Sequence, residues 1–209
     1  MNLIEIVHPA GALTEDDQAH LAAEIVSGFT GESEDAPEAT LRRARAMTHL
    51  GFKELNTWFT GDGPWTENSP PPLWITMTVP EMWREELSRY AISWLRRTVR
   101  RLDAAHGWQR PSGALWINVV GIDDGSIGLD GKPSSADDVV ATMSEEFRAS
   151  LEAGGIEVPD GMLLDPMCGM LVKDVRGAIL LNHDGKRFGF CAENCRAAFA
   201  RRRGLEVPA

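Results

Sequence analysis

Cysteine is scarce in this 209-residue chain: there are three, and all fall between positions 168 and 195. An odd, clustered set is awkward for a disulfide framework and suits thiols kept reduced. Basic charge is also short, with 21 Lys and Arg against 31 Asp and Glu and a net charge of −10. The deficit is uneven, since residues 159–209 carry +2 and the remainder −12. So acidic a body argues against nucleic acid as the principal ligand. No apolar run reaches about eighteen residues, so no membrane span is expected. Met1 to Pro9 has neither the basic start nor the long apolar stretch of a secretory signal. A cytoplasmic protein is expected.

What is present is enough for a packed core: 43% of the residues are apolar and 25% are charged. The length allows one ordinary domain and a small second one. Residues 3–7 alternate and are rich in Ile and Val, predicting a strand that stops at Pro9. Thr14 before Glu15, Asp16 and Asp17 reads as an N-cap, and Leu21, Ile25 and Phe29 give a helical apolar face. After an acidic, small-residue loop (31–38), a second helical stretch is predicted near 39–48. A β segment near 50–60 follows, closed by Gly61-Asp62-Gly63-Pro64, and Pro70-Pro71-Pro72 punctuates the middle.

The pattern then restarts. Leu73 to Pro80 is again strand-like and again ends at a proline. A long helix is predicted from Glu81 to Ala105. Leu87, Ala91, Trp94, Leu95, Thr98 and Leu102 lie on one side, with Arg89, Arg96, Arg97, Arg100 and Arg101 on the other. Ala114 to Val120 reads as the next strand, and Gly121 to Gly131 has hairpin punctuation. Two β-α-β units of about seventy residues form an internal duplication. Ser134 or Ser135 then caps one more helix bearing Val139, Val140, Met143, Phe147 and Leu151, ended by Gly154-Gly155. Residues 154–164 read as a linker.

The tail carries the chemistry. Asp165-Pro166-Met167-Cys168-Gly169-Met170 is followed by Cys191, with twenty-two residues between it and Cys168, and then by Cys195, with three residues between. All the thiols in one short segment framed by Gly, Pro and aromatics read as a small metal-holding module. Such a piece buries too little apolar surface to fold stably alone, so a metal or a neighbour must help. Lys173 to Leu181 and Lys186 to Phe190 are predicted to form a hairpin around Asn182-His183-Asp184-Gly185. Cys191 would end the second strand, and Cys195, one helical turn later, would face the same way. Three thiolates can then converge on a soft ion, Zn²⁺ or Cu(I). His183 is a candidate fourth ligand, and Met167 and Met170 could offer thioethers to Cu(I) or simply pack. Three buried thiols without metal are the plain alternative. The Arg201-Arg202-Arg203 run reads as the solvated end of a final helix.

Two family resemblances follow. The duplicated unit, with Leu3-Ile4-Glu5-Ile6, Gly11-Ala12-Leu13-Thr14 and Gly128-Leu129-Asp130-Gly131, resembles the tautomerase superfamily over roughly residues 1–132. Members with two fused halves, which form trimers, are the nearest in shape; another ferredoxin-like duplication is the structural alternative. That family's chemistry uses an N-terminal proline as base or nucleophile. Asn2 stands in its place here, and Pro72, opening the second half, is an internal amide without a basic nitrogen. No catalytic residue carries over, and the family's carboxylate-binding arginines have no counterpart. Arg42, Arg43 and Arg45 could serve an anionic ligand or form a solvated helix face, and Trp58, Trp65 and Trp74 could line a pocket.

Residues 165–200 resemble the YHS domain, grouped with TRASH metal-binding modules. The matching residues are Asp165 to Met170, Ala178, Gly185, Phe188, Phe190-Cys191, Cys195 and Phe199, with Gly189 where an aromatic is usual and Ala192 where Ser is usual. The combined expectation is an α+β chain. Residues 1–153 form a duplicated β-α-β tautomerase-like domain with an extra C-terminal helix, and 160–204 form a treble-clef-like hairpin-and-helix module. The resemblances imply a homo-oligomer, trimeric by analogy. They also imply a metal-binding accessory protein, with Cys168, Cys191 and Cys195 as ligands to Zn or Cu(I), on a scaffold without tautomerase activity. YHS modules occur in metal-handling proteins and beside bacterial di-iron monooxygenases, so an oxygenase component is the implied partner. The alternatives are an isomerase or hydratase acting on small unsaturated keto acids through the Met1 amine or another base, and an interaction module with structural zinc.

Overall fold

A computed structural model describes residues 2–31, 35–153 and 157–206. The contacts divide them into two units, one drawn from residues 1–31 and 48–123, the other from 32–47 and 124–209.

The first unit is the duplicated one. β1 (Asn2–Pro9) leads to α1 (Glu15–Thr30). Thr14 caps α1 reciprocally: its hydroxyl accepts the Asp17 N–H while the Asp17 carboxylate accepts the Thr14 N–H. That satisfies two otherwise unpaired donors, and three acidic residues in the first turn suit the helix dipole. α2 (Glu38–Ala46) belongs by its contacts to the second unit. β2 (Thr48–Leu55) follows, then a two-residue hairpin, β3 (Phe59–Thr60) and β4 (Gly63–Pro64). β5 (Leu73–Pro80), α3 (Glu81–His106) and β6 (Leu115–Ile122) repeat the motif, with Gly107 ending α3 in the left-handed conformation at φ 66°.

The four long strands form one sheet in the order β2-β1-β5-β6. β1 runs parallel to β2 and β5 parallel to β6, while β1 and β5 are antiparallel, with Ile6 opposite Ile75. Alternation sends Ile4, Ile6, Ile75, Met77 and Val79 to one face, where they meet Leu21 and Ile25 of α1 and Ala91, Leu95, Val99 and Leu102 of α3. Val99 was not among the expected core residues of α3, but it completes the stripe one residue after Thr98. The strand and helix expectations for this half match these elements closely.

The second unit departs from expectation in three places. β7 (Ile127–Leu129) and β8 (Lys132–Ser134) make the expected hairpin, with Asp130 and Gly131 both at positive φ. Ser135 caps α4 (Ala136–Met143), yet the single helix expected through Leu151 is two: α5 (Glu145–Glu152) starts afresh after Ser144. Ser144 sits at φ −102°, ψ 12°, and its buried hydroxyl donates to the Val140 carbonyl at 2.7 Å. Such back-bonding competes with helix continuation and bends the chain. Gly154-Gly155, expected to stop that helix, lie outside the described residues.

The stretch expected as linker supplies β9 (Met162–Leu164), which pairs antiparallel with β10 (Leu171–Lys173). The strand expected from Lys173 to Leu181 is interrupted. A turn over residues 174–178, with Gly177 at φ 93°, separates β10 from β11 (Ile179–His183). β11 pairs antiparallel with β12 (Lys186–Phe190) across Asp184-Gly185, both at positive φ as a tight two-residue turn requires. α6 (Glu193–Arg203) closes the unit, and Phe199 packs against Phe188 and Phe190 at ring separations of 4.8 and 5.5 Å. Gly189, the departure from the YHS-like pattern, has a packing reason. A side chain there would begin 2.7 Å from Leu163 and 3.3 Å from Val172. Among the described residues, no helix is long and apolar enough to cross a membrane.

Candidate metal centre

Four potential ligand residues meet in the second unit. Asp165 and Cys168 lie in the turn between β9 and β10, Cys191 directly follows β12, and Cys195 sits in the first turn of α6. The turn is tied by Asp165 itself. Its N–H donates to the Met170 carbonyl, its own carbonyl accepts from the Gly169 N–H, and Oδ1 accepts from the Met167 N–H at 2.8 Å. Oδ2 accepts the Cys191 N–H at 3.0 Å. Thr40 of α2 donates its hydroxyl to the Cys168 carbonyl at 3.2 Å. Gly169 is at φ 85°, and a Cβ there would lie 2.6 Å from both Phe147 and Pro37. Both the backbone conformation and the space therefore require glycine.

The three sulfurs form a triangle with sides of 3.5 Å (Cys168–Cys191), 3.7 Å (Cys191–Cys195) and 4.0 Å (Cys195–Cys168). A disulfide needs about 2.05 Å, so all three are free thiols. A tetrahedral ion with metal–sulfur bonds of about 2.3 Å spaces its sulfurs about 3.8 Å apart. The triangle has that size. With the Asp165 carboxylate included, all four ligand atoms lie within 4.8 Å of one another, and the cluster can hold a metal ion. Cys168 and Cys195 are buried, while Cys191 is partly exposed.

Protonation follows from this crowding. Hydrogen bonds from the Cys191 and Cys195 thiols hold Cys168 down to about 6, well below an ordinary thiol. Its bond to Cys168 pushes Cys191 up to about 12, and bonds to both neighbours push Cys195 up as well. Burial, followed by the nearby Cys191, raises Asp165 to about 6 against the pull of its two backbone N–H donors. Cys168 is therefore the most acidic of the three thiols, while its two neighbours hold their protons more tightly than a free thiol does.

The three expected cysteines are thus brought together. His183 lies outside the cluster, with Nε2 3.2 Å from Asp184. Met167 is buried and Met170 half-buried. Asp165 was legible only as part of the cysteine motif, and its reach to Cys191 is a tertiary contact that spacing does not signal. Arg42, Arg43 and Arg45 are ion-paired with Glu146, Glu145 and Glu38. Trp58, Trp65 and Trp74 line one cleft of about 510 Å³ with Trp116, and the Trp58 and Trp74 rings are 4.5 Å apart. Asn2 is buried in β1, and the Met1 amine lies outside the described residues.

No protein-family model matches the chain, and no curated protein matches it in sequence. Among solved structures, it is similar to native fused 4-OT, at 18% identity over 65% of this chain and 97% of that one, with a TM-score of 0.46. It is similar to the W0 fused 4-OT symmetric trimer, at 12% identity over 64% and 98%, with a TM-score of 0.47. A probable enzyme from the thermophilic fungus Aspergillus fumigatus is similar at 15% identity over 64% and 83%, again with a TM-score of 0.47. The fused 4-OT proteins are tautomerase-superfamily folds.

Proposed function

We propose that this is a metal-binding accessory protein in which Cys168, Cys191 and Cys195 hold one transition-metal ion. The observation that carries the reading is the sulfur triangle, whose sides of 3.5 to 4.0 Å suit a single thiolate-bound ion. Sulfur-rich donors favour Zn²⁺ or Cu(I) over hard cations such as Mg²⁺ or Ca²⁺. Residues 160–204 act as the metal module, in keeping with their likeness to YHS domains. The first unit serves as a tautomerase-like scaffold for self-association and has no catalytic residue of that family, since Asn2 replaces its proline. The ion is held for a partner enzyme, with a di-iron monooxygenase the implied client, in its assembly or metal supply.

Elemental analysis of the purified full-length protein tests the core of this, beside a Cys168→Ser/Cys191→Ser/Cys195→Ser variant whose fold is checked by circular dichroism. About one ion per chain is expected in the wild type and none in the variant. Equal metal in both rejects the reading.

A further inference from the structure

We propose that Asp165 is the positioning residue of this centre and not one of its ligands, so that three sulfurs hold the ion and a thiolate from an incoming molecule completes its coordination. The inference rests on the metal reading above.

Every polar atom of Asp165 carries a hydrogen bond. The N–H and carbonyl close the 165–170 turn through Met170 and Gly169, Oδ1 holds the Met167 N–H, and Oδ2 holds the Cys191 N–H. One carboxylate therefore fixes the turn carrying Cys168 against the residue that leads into α6 with Cys195. Each oxygen keeps a second lone pair, but turning Oδ2 toward an ion would compete with the bond that holds the Cys168 turn against Cys191, and turning Oδ1 with the bond inside that turn. Second-sphere anchors of this kind orient ligands and govern affinity without touching the metal.

Among the described residues, no other His, Cys, Asp or Glu joins the cluster. Cys168 and Cys195 are buried while Cys191 is partly exposed, so an outside ligand approaches beside Cys191. A tetrahedral ion such as Zn²⁺ held by three thiolates keeps one position for a further ligand, and a fourth sulfur suits it. The addition forms one metal–sulfur bond, and the incoming thiol gives its proton to solvent. The thiol can be a free small molecule or a cysteine of another protein.

Co²⁺ loaded into the full-length protein separates these cases, because its thiolate-to-metal absorption scales with the number of bound sulfurs and its visible bands report the ligand set. Saturating N-acetylcysteine, or in a second arm an unstructured peptide with one cysteine, is expected to raise the thiolate absorption by about a third, from three sulfurs to four. A response in the first arm points to free thiols, and a response confined to the second points to a protein donor. Absence of response in both overturns the proposal. Asp165→Asn keeps one acceptor but presents an NH₂ group to the other backbone N–H, so one tie is lost. It is expected to bind Co²⁺ about 10- to 100-fold more weakly with unchanged visible bands at equal loading. Shifted bands, or unchanged affinity, overturn the positioning role. If Asp165→Asn does not fold, the thiol titration of the wild type still decides. Failure of the underlying metal reading looks different: the wild type would take up no more Co²⁺ than the triple serine variant.

Discussion

The carboxylate of Asp165 accepts the backbone N–H of Cys191 at 3.0 Å, joining two segments 26 residues apart. Through this bond the turn that presents Cys168 and the approach to α6 are held in register. The sulfurs of Cys168 and Cys191 stand 3.5 Å apart.

The number of protons is the first prediction. With Cys168 near 6 and Cys191 and Cys195 raised, one thiolate and two thiols face the incoming ion at pH 8. All three must be thiolates to bind, so uptake should release about two protons per ion. Calorimetry in buffers of different ionisation enthalpy measures this. Affinity should fall about 100-fold per unit of pH decrease between pH 9 and 7, the slope of two coupled protons. Release of three protons at pH 8 would show that the cluster lacks its resident thiolate.

Gly169 gives a second test. At φ 85°, with Phe147 and Pro37 within 2.6 Å of any Cβ, Gly169→Ala meets both backbone strain and a clash. A loss of about 2–4 kcal/mol in urea unfolding of the metal-free protein is expected, together with weaker metal binding. Gly177→Ala is the control. It has similar strain at φ 93° but open space around it, so it should cost only about 1 kcal/mol. Equal losses would mean that packing around Gly169 is unimportant.

How much was legible in the sequence follows the range of the interactions. Elements set by local pattern were readable: the alternation of β1 and β5, the N-cap at Thr14, and the apolar stripe of α3. The convergence of Cys191 and Cys195 was also readable, since one helical turn separates them. The break at Ser144 was hidden because Val139, Val140, Phe147 and Leu151 keep helical spacing across it, while a buried hydroxyl decides otherwise. β9 was hidden because three residues carry almost no pattern and the strand exists only through its pairing with β10. Asp165 escaped as a site residue because its role lies in two backbone amides, neither of which has a sequence signature.

The capping box at Thr14 yields a prediction for the first unit. Burial works against the Asp17 carboxylate, but hydrogen bonds from His106 and from the Thr14 N–H and hydroxyl outweigh it and lower its pKa. The folded state therefore holds fewer protons than the unfolded one in mild acid. The stabilisation is fully present above the ordinary value of 3.8 and is lost as pH falls through the lower folded value. Thr14→Ala should cost about 1 kcal/mol at pH 7. Chemical denaturation should show the gap between Thr14→Ala and wild type narrowing below pH 4. A gap that widens in acid would contradict the sign.

X-ray absorption at the metal edge of the as-isolated protein tests the central claim most directly. The account predicts three sulfur neighbours at about 2.3 Å, falling to two in Cys191→Ser. A shell of nitrogen and oxygen alone, unchanged in that variant, would contradict it.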